Sequence, residues 1–155
     1  MPVSYFSPST AALPAAGLTP FFLRPAVLEI QRAIHLGLDV FLQSLLLDEH
    51  TNAAELGRQA QQQFHQANGA LELIGIDGAP VLIRLMQSLL SKHIEALPAA
   101  ASEVCISALR TGSQTVVAYL DAWVSDPTVL PVALLACYRS LHALQSDAPA
   151  DPAAL

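Results

Sequence analysis

The chain has 155 residues; hydrophobic residues make up 53% and charged residues 13%, and its mean hydropathy is +0.44. This composition excludes an intrinsically disordered protein, which would be poor in apolar residues and rich in charge. Seven Lys and Arg against thirteen Asp and Glu, a net charge of −6, also exclude a nucleic-acid binder that works through a basic surface.

The length suggests one domain. Two cysteines, Cys105 and Cys137, are too few for a four-cysteine zinc site or a disulfide framework, and both sit in apolar helical patterns as buried free thiols. No uncharged apolar run approaches the roughly 18 residues that a membrane span needs. The nearest, Val40 to Leu47, carries Gln43 and Ser44. The first cation is Arg24, so a basic signal-peptide region is missing and the cytoplasm is the expected location.

Residues 1–23 are rich in Ala and Pro, with Pro2, Pro8, Pro14 and Pro20 spread through them. The prolines predict a mobile leader with no continuous helix. Its Phe21 and Phe22 are expected to dock on the domain. Residues 24–145 read as the helical domain, and residues 146–155, again rich in Ala, Pro and Asp, as a linker or disordered tail.

The first helix is expected from about Pro25 to Leu47, with Leu28, Ala33, Ile34, Leu38, Phe41, Leu42 and Leu45 as its apolar stripe. The second starts near Thr51 and buries Leu56, Ala60, Phe64, Ala67, Leu71 and Ile74, ending at Gly75. The third begins at Asp77, has Pro80 in its first turn, and buries Leu82, Leu85, Met86 and Leu89 before it ends near Ile94. The fourth runs from about Ala100 to Val124 with Val104, Ile106, Leu109, Val116, Val117, Leu120 and Trp123 inward, weakened at Gly112 and stopped by Asp126-Pro127. The fifth, about Leu130 to Gln145, carries Leu134, Leu135, Tyr138, Leu141 and Leu144. Long amphipathic helices with short links predict an all-α protein, an antiparallel four-helix bundle with an additional helix.

The stretch from Gln62 to Gly75 is the most informative. With Phe64 at the centre of the buried stripe and about 100° per residue, His65 falls at the edge of the exposed surface. Asn68, Gly69 and Glu72 follow at i+3, i+4 and i+7 on the same side. An interior helix glycine is costly, and close approach of another protein is one reason to keep it. Tight packing against a neighbouring helix is the other.

His65, Gly69 and Gly75 stand where histidine-phosphotransfer (HPt) domains carry their histidine and two glycines, so the chain resembles that family. Residues 59–84 look closest to the N-terminal HPt-like domain of CheA/ChpA (PilL)-type chemosensory hybrid kinases that control type IV pili. The carrying segment is His65-Gln66-Ala67-Asn68-Gly69-Ala70-Leu71, followed by Gly75, and Tyr138-Arg139 in the last helix is similar to the end of that domain. The resemblance implies an HPt-type bundle with His65 as phosphoacceptor, and binding candidates Asn68, Gly69, Glu72, Arg58 and Gln61. It implies a response-regulator receiver domain or chemotaxis-type kinase as partner; no cofactor is expected, the absent ligand motifs argue against a metal, the acidic charge against nucleic acid, and the dense leucines read as core plus one docking face rather than a lipid site. The isolated domain would be a phosphoryl carrier rather than a stand-alone enzyme, though a parent chain would be a histidine kinase. The family lysine at i+3 is Asn68 here, which removes a cation from beside a phosphorylated imidazole. Glu72 adds a repelling charge. Two functions are therefore open: phosphoryl transfer through His65, and a degenerate HPt fold kept for docking.

The other histidines carry less. His35 reads as a helix-face residue, His50 as part of a solvated Asp48-Glu49-His50 turn, His93 as a complement to a helix C-terminus beside Lys92, and His142 as solvent-facing. No Glu-x-x-His, His-Glu-x-x-His, P-loop or Cys-x-x-Cys pattern occurs.

Overall fold

The computed structural model describes residues 8–47, 50–95 and 103–145, with side chains from Phe22 onward except those of His50, Thr51 and Glu95. The expected tail, 146–155, and the first seven residues of the leader lie outside these. Among the described residues the chain is all-helical: α1 (Pro8–Ser44), α2 (His50–Ile74), α3 (Ala79–Glu95), α4 (Glu103–Ser125) and α5 (Val132–Gln145).

The first helix corrects the sequence reading. It starts at Pro8, not near Pro25, and runs through Pro14, Pro20 and Pro25. Each proline removes one N–H and crowds the carbonyl four residues back, yet Ala11, Ala12, Ala15 and Ala16 supply the strongest helix formers between them. Its buried seam also differs: Val27, Ile30, Ile34 and Phe41 face the core, whereas Leu28 is 50% exposed. Steps of three, four and seven keep those residues on one side, and Leu28 lies about 100° from Val27.

The remaining helices hold closer to their expected stripes. Ala60, Phe64, Ala67 and Leu71 of α2 are fully buried, as are Leu82 and Met86 of α3, Leu109, Val116 and Leu120 of α4, and Leu134 and Leu141 of α5. Val104 and Leu144, expected inward, are exposed instead. His50 opens α2 rather than standing in a turn. Asp126 ends α4 as expected: its carboxylate accepts from the Thr128 backbone N–H at 3.0 Å, and its carbonyl accepts from Val129 at 3.1 Å, closing a turn. That turn and Pro131 delay α5 to Val132.

Cross-helix contacts define the packing. Gly37 of α1 lies against Ala60, Gln63 and Phe64 of α2, and the groove between these helices pairs Ala26, Glu29 and Ile30 with Gln66, Ala67 and Ala70. Numbers rise on one helix as they fall on the other, so α1 and α2 are antiparallel. Across the next seam Gly57 meets Ile94, Gln61 bonds Ser91, and Arg84 bonds Glu72, so α2 and α3 are antiparallel too. Gln31 ties α1 to α4 by donating to Val117 O at 3.1 Å and Asp121 Oδ1 at 2.8 Å. The fifth helix packs on both α3 and α4. At that junction Gly112 admits Met86: a Cβ would stand 2.8 Å from the Met86 sulfur and 3.6 Å from Leu141. The glycine that weakens α4 as an isolated helix is what makes room for the Met86 side chain of α3.

Cys137 is buried and Cys105 half-buried, neither of them in a disulfide, and burial pushes both thiols up in pKa. His142 is half-buried with its ring 5.6 Å from that of Tyr138, so it is not simply solvent-facing. The His93 ring packs edge-on to Phe41 at 5.3 Å.

Phe64→Ala is expected to cost about 3–5 kcal/mol in urea unfolding, the usual loss for a fully buried phenylalanine. Burial lowers the pKa of His93 from 6.5. The unfolded chain then binds a proton more readily, so this contribution to stability is complete above about pH 6.5 and is lost as pH falls through the folded value. Stability measured between pH 7 and pH 5 should fall less steeply in His93→Gln than in the parent chain.

Candidate functional site

The exposed side of α2 next to α3 holds most of the residues that the sequence singled out. Phe64 is completely buried, and one residue further on His65 is exposed. Two bridges across the α2–α3 seam bracket it. One turn before, Gln61 Nε2 donates to Ser91 Oγ. Two turns after, Arg84 donates to Glu72 Oε1. His65 thus stands on a length of helix held at both ends to its neighbour.

Asn68 corrects the expectation of a shared exposed face. It is only 8% exposed, because position 68 lies about 40° from Phe64 toward α3, while His65 lies about 100° away. Its Nδ2 donates to Glu72 Oε1 at 3.2 Å, and its Oδ1 is buried without a hydrogen-bond partner. The residue at i+3 therefore turns into the α2–α3 seam and joins the Glu72–Arg84 pair instead of lying open beside the imidazole.

Both arginines are engaged by carboxylates. Arg58, two turns before His65, pairs with Glu55 at 2.8 Å, and this hydrogen bond holds the Glu55 carboxyl below its ordinary range. Arg84 is held by Glu72, which sits seven residues, about 10.5 Å of helix, past His65. The cations lie on either side of the imidazole along the helix, each with its own acid. Such exposed pairs contribute little to stability and exchange readily.

Gly69 separates its two sequence readings. A Cβ built there meets nothing within 4 Å, so helix packing does not require the glycine. Gly37, Gly57 and Gly112 each face a neighbouring helix closely, and Gly78 adopts φ +81° against Pro131. Gly75 has a clear structural role. At φ +76° it ends α2, with its N–H bonded to Glu72 O at 3.2 Å and that of Ile76 to Leu71 O at 3.2 Å. This is a Schellman cap, closed by the buried pair Leu71 and Ile76.

The sequence reading passed over Leu73. It is 87% exposed, four residues past Gly69 and eight past His65. It lies about 180° from Phe64 around the helix, which a helical projection reveals. His65, Gly69 and Leu73 line the outer surface of α2 as an imidazole, a gap and an apolar knob. Among the described residues no group of three or more His, Cys, Asp or Glu side chains is placed to hold a metal ion. No helix there is long and apolar enough to cross a membrane.

No family model matches the chain, and no curated protein or solved structure is significantly similar to it. The class defined by fold and site is thus that of an all-helical bundle with an exposed histidine on its second helix.

Gly69→Ala is expected to raise stability by about 0.5–1 kcal/mol, since an interior helix glycine is replaced where space is open. Gly75→Ala should destabilise, because its left-handed conformation strains any residue with a Cβ. Thermal unfolding of the two variants checks the opposite signs.

Proposed function

We propose that the chain is an HPt-like signalling module of a two-component or chemosensory relay, with His65 as the phosphoacceptor. The observation that carries this reading is His65 itself: an exposed imidazole on a regular helix, followed at i+4 by a glycine that the fold does not need. An open position one turn from a nucleophile suits the approach of a second protein. The resemblance to pilus-controlling hybrid kinases extends the proposal to type IV pilus twitching motility as output and to the cytoplasm as location.

Imidazole retains a nucleophilic nitrogen near neutral pH. Its lone pair attacks phosphorus on a receiver phospho-aspartate or on kinase-bound ATP. The N–P bond forms as the P–O bond breaks, and the electron pair leaves with the aspartate carboxylate or with ADP. The helix positions the nucleophile, while the partner supplies magnesium and most of the charge stabilisation. Arg58 and Arg84, freed from weak surface pairs, are the cations this chain offers to a phosphoryl group.

A second reading, docking without transfer, draws on the arrangement around Glu72. That carboxylate holds Arg84 and Asn68, so neither is turned toward a phosphoryl group on the imidazole. The outer stripe of α2 would then be a binding surface only.

Incubation with phosphorylated receiver domains, and with a chemotaxis-type kinase and ATP, should leave acid-labile phosphate on the chain. The label should be absent from His65→Ala. Absence of label on the parent chain, from donors that charge a control HPt domain, would sink transfer and leave docking. Gly69→Gln should keep the fold and weaken partner binding; unchanged affinity for a verified partner would remove the α2 face as the docking surface.

A further inference from the structure

Asn68 is followed directly by Gly69, and an asparagine in that position is open to attack by its own backbone. The amide nitrogen of the next residue, its proton lost to hydroxide, adds to the side-chain carbonyl carbon. The new C–N bond closes a five-membered ring, the bond to Nδ2 breaks, and ammonia leaves. Water then opens the ring at either carbonyl. The products are aspartate and isoaspartate, whose main chain runs through the side-chain carbon. Glycine favours this reaction because no Cβ obstructs the approach of its nitrogen. The chain has one other asparagine, Asn52, and it precedes Ala53.

Within α2 the reaction is held back. Gly69 is an interior residue of the helix, so its N–H is given to the carbonyl of His65, and the helical backbone at Asn68 turns the Gly69 nitrogen away from the side chain. Asn68 is 8% exposed, and its Nδ2 donates to Glu72 Oε1 at 3.2 Å. Three weaknesses nevertheless meet in this turn. Gly69 lowers the helix propensity and has nothing packed over it. The Asn68 Oδ1 is buried with no donor, so opening gives it the hydrogen bond from water that the closed turn denies it. The bridge that closes the seam here, Arg84 to Glu72, joins two side chains that are both more than half exposed, and such a pair holds weakly.

We infer that Asn68-Gly69 is a self-modification site, unlocked by local opening of α2, and that its acidic products keep the opened turn from closing. Aspartate at position 68 sets a carboxylate where Nδ2 now meets Glu72, so two like charges face each other in a buried place. Isoaspartate adds a carbon to the main chain and breaks the backbone bonding between His65 and the cap at Gly75. The site is therefore a one-way marker of chains in which the turn after His65 has opened. No step uses the His65 imidazole, so the inference does not depend on phosphotransfer.

Peptide mapping by mass spectrometry on the full chain, kept warm at mildly alkaline pH, tests this. The readout is the mass gain of amide-to-acid conversion at residue 68, because ring closure at Asp77-Gly78 changes no mass. Conversion should be at least about tenfold faster in urea than in the folded chain, as befits a site reached through opening. In urea Asn52 should lag far behind Asn68, and Gly69→Ala should slow Asn68 even there, where helix stability plays no part. In the folded chain Gly75→Ala, which loosens the cap of α2, should speed conversion beyond what its loss of global stability accounts for. Leu109→Ala, in the buried face of α4, should not. Asn68→Asp should unfold at a lower temperature than the parent, and the difference should shrink toward acid pH, where the new carboxyl is protonated. Equal rates in folded and unfolded parent chain, no conversion in urea, a Gly75→Ala effect no larger than that of Leu109→Ala, or an Asn68→Asp chain as stable as the parent would overturn the inference.

Discussion

The burial of Phe64 is the contact on which the rest of the molecule turns. Its ring, fully excluded from solvent with Ala60, Ala67 and Leu71, anchors α2 between α1 and α3. A fully buried phenylalanine is worth several kcal/mol, far more than any exposed pair on the surface. That difference fixes the rotation of α2 about its axis. Once Phe64 faces the core, helix geometry alone sends His65 outward, Asn68 into the α3 seam and Leu73 to the far side.

Polar contacts then refine what the core has set. Gln61 with Ser91 and Glu72 with Arg84 hold α2 against α3 on either side of His65, and Gln31 holds α1 against α4. These bonds contribute modestly to stability, but they set register along seams whose apolar residues would tolerate a slide. The site therefore has a rigid base and an open outer face, the arrangement that an encounter with another protein requires if a nucleophile is to be presented rather than buried.

Glycine serves several purposes in this chain. Gly112 makes room for the Met86 side chain on α4, and Gly75 closes α2 in a left-handed turn. Gly69 does neither, and its helix bears the propensity cost with no return within the fold. The same contrast separates the two halves of α1: residues after about 25 owe their helical state to packing, whereas the extension before them relies on its alanine-rich composition.

How much was legible in the sequence varied with the kind of interaction. The all-helical class, the α2 stripe from Ala60 to Leu71, the cap at Gly75 and the stop at Asp126 were readable, because periodicity and capping act within a few residues of chain. The start of α1 was not, because prolines signal a break whose cost the surrounding alanines offset. The seam of α1 through Val27 and Ile30, rather than Leu28, depended on which neighbour the helix met. The inward turn of Asn68, the diversion of Arg84 to Glu72 and the open space at Gly69 arise between helices, where side chains distant in sequence compete for the same volume and charge. The sequence alone determined which residues are chemically able to act; only the tertiary structure decided which of them face solvent and which are already engaged.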